Sequence, residues 1–230
     1  MEALLSSELS ADTLAALKAH IQAHLTQNDT SVTENFRLSQ FWYDDQTGRA
    51  LAQEAIDQSK AKRIAFVSAP AAYRDFLKIQ NESDSPIISD NVFLFEYDRR
   101  FDAKYNGHFV FYDYNDPTNL PDKFHHFFDY ILMDPPYLTV SCMSKYAETM
   151  RWLANDVISG PGCKEKILSP CTFITARMLR KQIYTELGFT PSGFVPTFES
   201  KLSNPFLTYT NYHSERFGKI AEVFDDSDTE

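Results

Sequence analysis

Short apolar runs alternate with helical or loop segments between residues 63 and 134, and this alternation is what most narrows the folds open to the chain. The runs are Arg63-Ile64-Ala65-Phe66-Val67, Val92 to Phe95, Phe109 to Tyr112 and Phe127 to Met133. Such a rhythm is the signature of β-α units around a parallel sheet. The second run ends in Glu96-Tyr97-Asp98, the third in Asp113-Tyr114, and the fourth delivers Asp134. In open α/β sheets ligands bind beyond the carboxyl ends of the strands, so these side chains should converge on one crevice. An acid just past a second strand can accept both hydroxyls of a ribose, with the next side chain packed on an adenine face, which suggests Glu96 and Tyr97. An acid past the third strand is placed for the adenine amino group, which suggests Asp113, with Tyr114 stacking. Any one of them could be a plain strand-end turn residue, and it is the joint pattern that points to a site.

The fourth run leads straight into Asp134-Pro135-Pro136-Tyr137. Proline fixes φ and pushes the residue before it into extended conformations, so Asp134 and Pro135 should both be extended and stiff. The Asp134 carboxylate and the Pro135 carbonyl can then accept hydrogens from one substrate nitrogen, while the Tyr137 ring covers it and offers a cation–π surface. This arrangement aims a nitrogen lone pair. In methyl transfer from S-adenosylmethionine the sulfonium carbon is already electrophilic, and the protein's main task is to align the nucleophile, without a metal.

Composition bounds the partners. The 230 residues, 43% hydrophobic and with 19 Phe, suffice for one sizeable core. The reading is a helical extension over 1–33, one catalytic domain over 34–215 and an acidic tail over 216–230 that is too polar to join a core. The net charge is −10, and Glu222, Asp225, Asp226, Asp228 and Glu230 supply half of it. That balance opposes nucleic acid, which demands cationic patches, and suits a basic protein substrate. No apolar run approaches a membrane span and the start Met1 to Glu8 lacks a basic region, so a soluble, cytoplasmic protein is expected. Cys142, Cys163 and Cys171 form neither an even disulfide set nor a Cys-x-x-Cys pair, and the six histidines include no His-Glu-x-x-His, so neither disulfide nor metal is expected.

Ser10-Ala11-Asp12-Thr13 followed by Leu14, Leu17, Ile21 and Leu25 predicts an amphipathic helix over 11–26. Phe41-Trp42-Tyr43 precedes a second helix, Asp45 to Gln58, with Leu51, Ala52, Ala55 and Ile56 on one face. Trp42 and Tyr43 suit core packing and a cofactor-side lid equally, since aromatics serve both. After the first strand, Ser68 is a candidate cap and Pro70 fits the first turn of a helix carrying Tyr73, Phe76 and Leu77. Further on, the pattern predicts a helix over 144–154, a loop over 155–165, a strand over 166–174 interrupted at Pro170, and a helix capped by Thr175 that stops at Gly188. Phe194 to Phe198 and Phe206 to Tyr212 read as two closing strands around a turn at Asn204-Pro205.

Four segments carry a resemblance. They are Glu34-Asn35-x-x-Leu38-Ser39-Gln40-Phe41-Trp42-Tyr43; Phe95-Glu96-Tyr97-Asp98-x-Arg100-Phe101 with Phe111-Tyr112-Asp113-Tyr114-Asn115; Asp134-Pro135-Pro136-Tyr137-Leu138; and Leu202-x-Asn204-x-Phe206-x-x-Tyr209-x-Asn211-Tyr212. Over about residues 8 to 213 the chain resembles the eukaryotic elongation factor 1-alpha lysine methyltransferases, a group of class I methyltransferases. The resemblance implies a Rossmann-like seven-stranded α/β sheet flanked by helices, with the last strand antiparallel, and S-adenosylmethionine as cofactor. It implies transfer to a lysine ε-amine of the elongation factor, with Asp134, Pro135 and Tyr137 at the reacting centre. Gln40, Trp42, Ser68, Ala69, Glu96, Tyr97, Asp113, Tyr114 and Asp134 would stand beside the cofactor, and Tyr137, Asn204 and Phe206 beside the substrate. The loop Val67-Ser68-Ala69-Pro70-Ala71 has no glycine where the wider superfamily has a glycine-rich turn. Its small residues still permit close backbone approach, and a helix N-terminus there would favour the methionine carboxylate. The competing reading is an adenine amino-methyltransferase acting on DNA or RNA, because a planar exocyclic amine suits Asp-Pro-Pro-Tyr equally well.

Overall fold

A computed structural model describes residues 32–59, 63–83, 90–159, 165–200 and 205–219. The expected helix over 11–26, Cys163, Asn204 and the acidic stretch from residue 220 on lie outside them. The chain divides into two units between Glu34 and Asn35, and the sheet belongs wholly to the second.

After a 3₁₀ turn at Phe36–Leu38 come α1 (Asp45–Ser59), β1 (Ile64–Val67), α2 (Pro70–Glu82), β2 (Val92–Glu96), α3 (Arg100–Lys104), β3 (Phe109–Phe111) and β4 (Tyr130–Met133). There follow α4 (Val140–Leu153), the short pair β5 (Val157–Ile158) and β6 (Lys166–Ile167), β7 (Cys171–Ala176), α5 (Arg180–Leu187), β8 (Thr190–Pro191) and β9 (Phe206–Thr210). Seven strands form one sheet in the order β3-β2-β1-β4-β7-β9-β8. β1, β2, β3, β4 and β7 run parallel, while β9 is inserted antiparallel between β7 and the edge strand β8. All residues of β1, β2, β4 and β7 are buried, which is why β1 and β4, and β2 as far as Phe95, read as unbroken apolar runs. One face is covered by α1 and α2, with Phe66 against Tyr73 and Phe76. On the other, Met143, Tyr146 and Met150 of α4 join Phe95, Phe128 and Phe173 in the core.

The register sets the site. Val67 pairs with Phe95 on one side and Met133 on the other, so Ser68, Glu96 and Asp134 come next at the same level of the sheet and emerge together. The ladder continues past the strand ends, with Ser68 donating to the Phe95 carbonyl at 2.8 Å and Asp134 to that of Val67 at 3.1 Å. The chain visits β2 on one side of β1 and β4 on the other, which opens the crevice at this carboxyl edge.

Several expectations are corrected. The helix expected at 144 starts at Val140, because Thr139 caps it by accepting from the Cys142 N–H at 3.2 Å. The strand expected over 166–174 is two strands: β6 pairs with β5 in a separate ribbon, and β7 enters the main sheet only after Pro170, which lacks a donor. Thr175 caps nothing, since β7 continues to Ala176 in register with Phe206. Phe194 to Phe198 is not a sheet strand; Thr190–Pro191 takes the edge, and Phe198 makes an isolated antiparallel bridge with Tyr43.

Candidate active site

A cavity of about 570 Å³ opens at the carboxyl edge of the sheet. Ser68 and Ala69 after β1, Glu96 at the end of β2 and Tyr97 after it, Asp113 and Tyr114 after β3, and Asp134, Pro135 and Tyr137 after β4 all line it. Gln40 and Phe206 line it as well, although they are 166 positions apart and belong to opposite ends of the described fold. Trp42 does not. It is 6% exposed and packs edge-on against Phe101 with the Arg74 guanidinium 4.7 Å over its ring, so the position expected beside a cofactor is core.

The glycine-free loop is built differently from the expectation that Ser68 caps α2. The N-cap is Ala69, without a side-chain bond, and Ser68 adopts φ 51°, the left-handed region that favours glycine. Its Oγ lies 2.6 Å from the Tyr146 hydroxyl, which gives a serine a reason to hold that conformation. The N-terminus of the thirteen-residue α2 therefore faces the cavity with its first N–H groups unclaimed by any side chain.

Glu96 is 7% exposed, with one oxygen accepting the Asp98 N–H at 3.0 Å. Burial, and secondarily the Asp98 charge, push its carboxyl up to about 7. Burial acts the same way on Asp98, but the Arg100 fork, with Nη2 at 2.6 Å and Nε at 2.8 Å, wins and holds it below the usual carboxylate range. Gln40 Oε1 accepts from the same guanidinium at 3.2 Å, which ties the segment before α1 to the end of β2. Asp113 accepts from the backbone and side-chain nitrogens of Asn115 at 2.8 and 3.0 Å.

Asp134 is half-buried, and burial pushes its carboxyl up to about 7; a hydrogen bond from the Tyr43 hydroxyl opposes that rise and the Glu96 charge adds to it. Tyr137 stands 40% exposed, its ring 5.8 Å from that of Tyr114, which in turn stacks on Tyr146 at 6.2 Å. Tyr146 and Phe198 line the cavity as well, and neither is a candidate on sequence grounds. Nothing local marks Tyr146 within its helix, and the pattern around Phe198 reads as a strand.

An uncapped helix N-terminus suits a carboxylate, buried acids suit a ribose diol and a cation, and an aromatic wall suits a purine; the donor set fits S-adenosylmethionine. Among the described residues no cluster of His, Cys, Asp or Glu could hold a metal, and no helix is long and apolar enough to cross a membrane.

The strand order, with an antiparallel last strand beside the edge and acids gathered at the carboxyl ends, defines a class I methyltransferase fold. Residues 34–214 match the model of the family described as "Probable N6-adenine methyltransferase". The chain belongs to that family. It is 38% identical over 218 residues to "EEF1A lysine methyltransferase 1" of Mus musculus, covering 90% of this chain and 92% of the relative. The protein of the same name from Gallus gallus is 41% identical over 186 residues, 80% of this chain and 78% of the relative. "Protein-lysine N-methyltransferase EFM5" of Saccharomyces cerevisiae is 33% identical over 185 residues, 78% and 72% of the two chains.

Proposed function

We propose that this protein is an S-adenosylmethionine-dependent protein-lysine N-methyltransferase whose substrate is a lysine of elongation factor 1-alpha. The observation that carries the reading is Asp134, pinned from behind by Tyr43 and opening into the cavity beside Pro135 and the exposed Tyr137 ring. Acid and ring together suit a cation on a flexible stem. The names of the relatives agree with a lysine substrate, and the net charge of −10 opposes a phosphate backbone.

S-adenosylmethionine, when bound, supplies the electrophilic methyl carbon. Glu96 would accept from its ribose, and the α2 N-terminus would receive its carboxylate. Asp134 and the Pro135 carbonyl accept hydrogens from the incoming ε-ammonium, whose ordinary pKa is about 10.4. Tyr137 and Phe206 line the cavity and would pack against the amine's stem. An anionic Asp134 favours the ammonium, so the proton leaves to water only as the amine is desolvated against these rings. The two N–H groups that remain are accepted by Asp134 and the Pro135 carbonyl, which would aim the freed lone pair in line. A cytoplasmic location belongs to the same proposal.

The test is transfer of a labelled methyl group with elongation factor 1-alpha, duplex DNA and RNA offered in parallel to the wild-type chain and to Asp134→Asn. Label should enter a lysine of the protein, at a rate that rises with pH through the alkaline range, and Asp134→Asn should lose most of it. Label in adenine instead would overturn the reading.

A further inference from the structure

The segment before α1 is clamped to residues 197–199. Asp44 donates its N–H to the Thr197 carbonyl at 3.2 Å, Glu199 donates to that of Trp42 at 2.9 Å, and the Thr197 N–H reaches Thr47 Oγ1 at 3.0 Å. Between these clamps Tyr43 is fully buried, its ring centroid 5.1 Å from that of Phe198. A phenylalanine would satisfy this packing. What the hydroxyl adds is a bond to Asp134 Oδ2, an acid 91 positions away that lines the cavity.

We propose that Tyr43 is the positioning residue of the Asp134 carboxylate, claiming one of its oxygens so that the other is presented to the substrate amine. The inference rests on reading Asp134 as the group that receives that amine. A carboxylate after a strand end has free rotation about two side-chain torsions, and the phenol removes that freedom before substrate arrives. It also biases the charge. Burial pushes the Tyr43 hydroxyl well above its ordinary value, so it remains a neutral donor, and a donor favours the ionised carboxylate. The other titratable group acting on Asp134 is Glu96, two strands away, whose like charge works in the opposite direction.

The experiment uses the full chain with Tyr43→Phe, which keeps the ring and deletes the bond. Titration of the Asp134 carboxyl by carbon-13 NMR, without cofactor, should move upward by on the order of one pH unit, as expected for one charge-assisted hydrogen bond. The turnover number on elongation factor at neutral pH should fall about ten- to a hundredfold. The loss should shrink at higher pH, with cofactor affinity by calorimetry unchanged. If Tyr43→Phe does not fold, Tyr43→3-fluorotyrosine strengthens the donor and should move the titration downward instead. An unmoved titration overturns the inference, and so does an equal loss of cofactor affinity, which would mark a structural role. A wild-type chain that labels nucleic acid overturns the lysine reading while leaving the titration result standing. One that labels protein while the Asp134 titration stays fixed does the reverse.

Discussion

Replacing Glu96 by Gln should stabilise the cofactor-free protein above neutral pH while weakening the cofactor site. The Glu96 carboxyl is pushed up to about 7, by burial first and then by the Asp98 charge, against an ordinary value of 4.5. At about 1.36 kcal/mol per pH unit, that difference corresponds to about 3 kcal/mol. The folded state holds this proton more tightly than the unfolded one, so Glu96 costs nothing below pH 4.5. Between 4.5 and 7 the unfolded chain is ionised while the folded one is still protonated, and stability falls as pH rises. Above 7 the full cost is present. A Gln carbonyl can still accept the Asp98 N–H that Glu96 now accepts at 3.0 Å, but it never bears the charge. Its amide must find a partner of its own, which costs about 1 kcal/mol. The expected outcome is therefore a loss of up to about 1 kcal/mol at pH 4.5 that turns into a gain of about 2 kcal/mol at pH 8. The assay is urea unfolding of both proteins at several pH values without cofactor, read as a difference, because Asp44, Asp98 and Glu82 are held low and lose their contribution at acid pH in both. Calorimetry should show S-adenosylmethionine binding weakened at least about tenfold, the loss of a charged acceptor. Parallel unfolding curves across the pH range would refute the reasoning, as would a variant less stable at pH 8 than the wild type.

Gly48, inside α1, faces Asp75 of α2 so closely that an added Cβ would lie 2.8 Å from its Cγ yet an ordinary 3.5 Å from its Cβ. Gly48→Ala should thus destabilise by about 1–3 kcal/mol in spite of its helix propensity. The same change should stabilise by up to about 1 kcal/mol in an Asp75→Ala background, and additive effects in urea unfolding would show that the contact is not the cause. At the cofactor loop, Ser68→Gly should keep cofactor affinity within about threefold because glycine is at ease at φ 51°, whereas Ser68→Val should lower it by tenfold or more; equal affinities by calorimetry would detach this loop from the site.

Features written in local codes are legible in the chain alone. Parallel strands covered on both faces are largely apolar, so Ile64–Val67, Val92 to Phe95 and Tyr130–Met133 can be placed from their residues without reference to any neighbour in space. The stiff Asp134-Pro135-Pro136-Tyr137 turn and the stop of α5 at Gly188, φ 72°, are likewise properties of their own few residues. Chain crossings decide the rest. Thr175 looks like a cap until β9 pairs with it, and Phe194 to Phe198 look like a strand until Thr190–Pro191 has taken the edge. Trp42 and Tyr43 are adjacent aromatics that sequence cannot tell apart. One turns under Arg74 into the core and the other reaches Asp134, because the segment that carries them is clamped to residues 150 or more positions away. Periodicity and turn chemistry report on neighbours in the chain, whereas which oxygen of an acid is held, and by whom, is fixed only once distant segments are packed against each other.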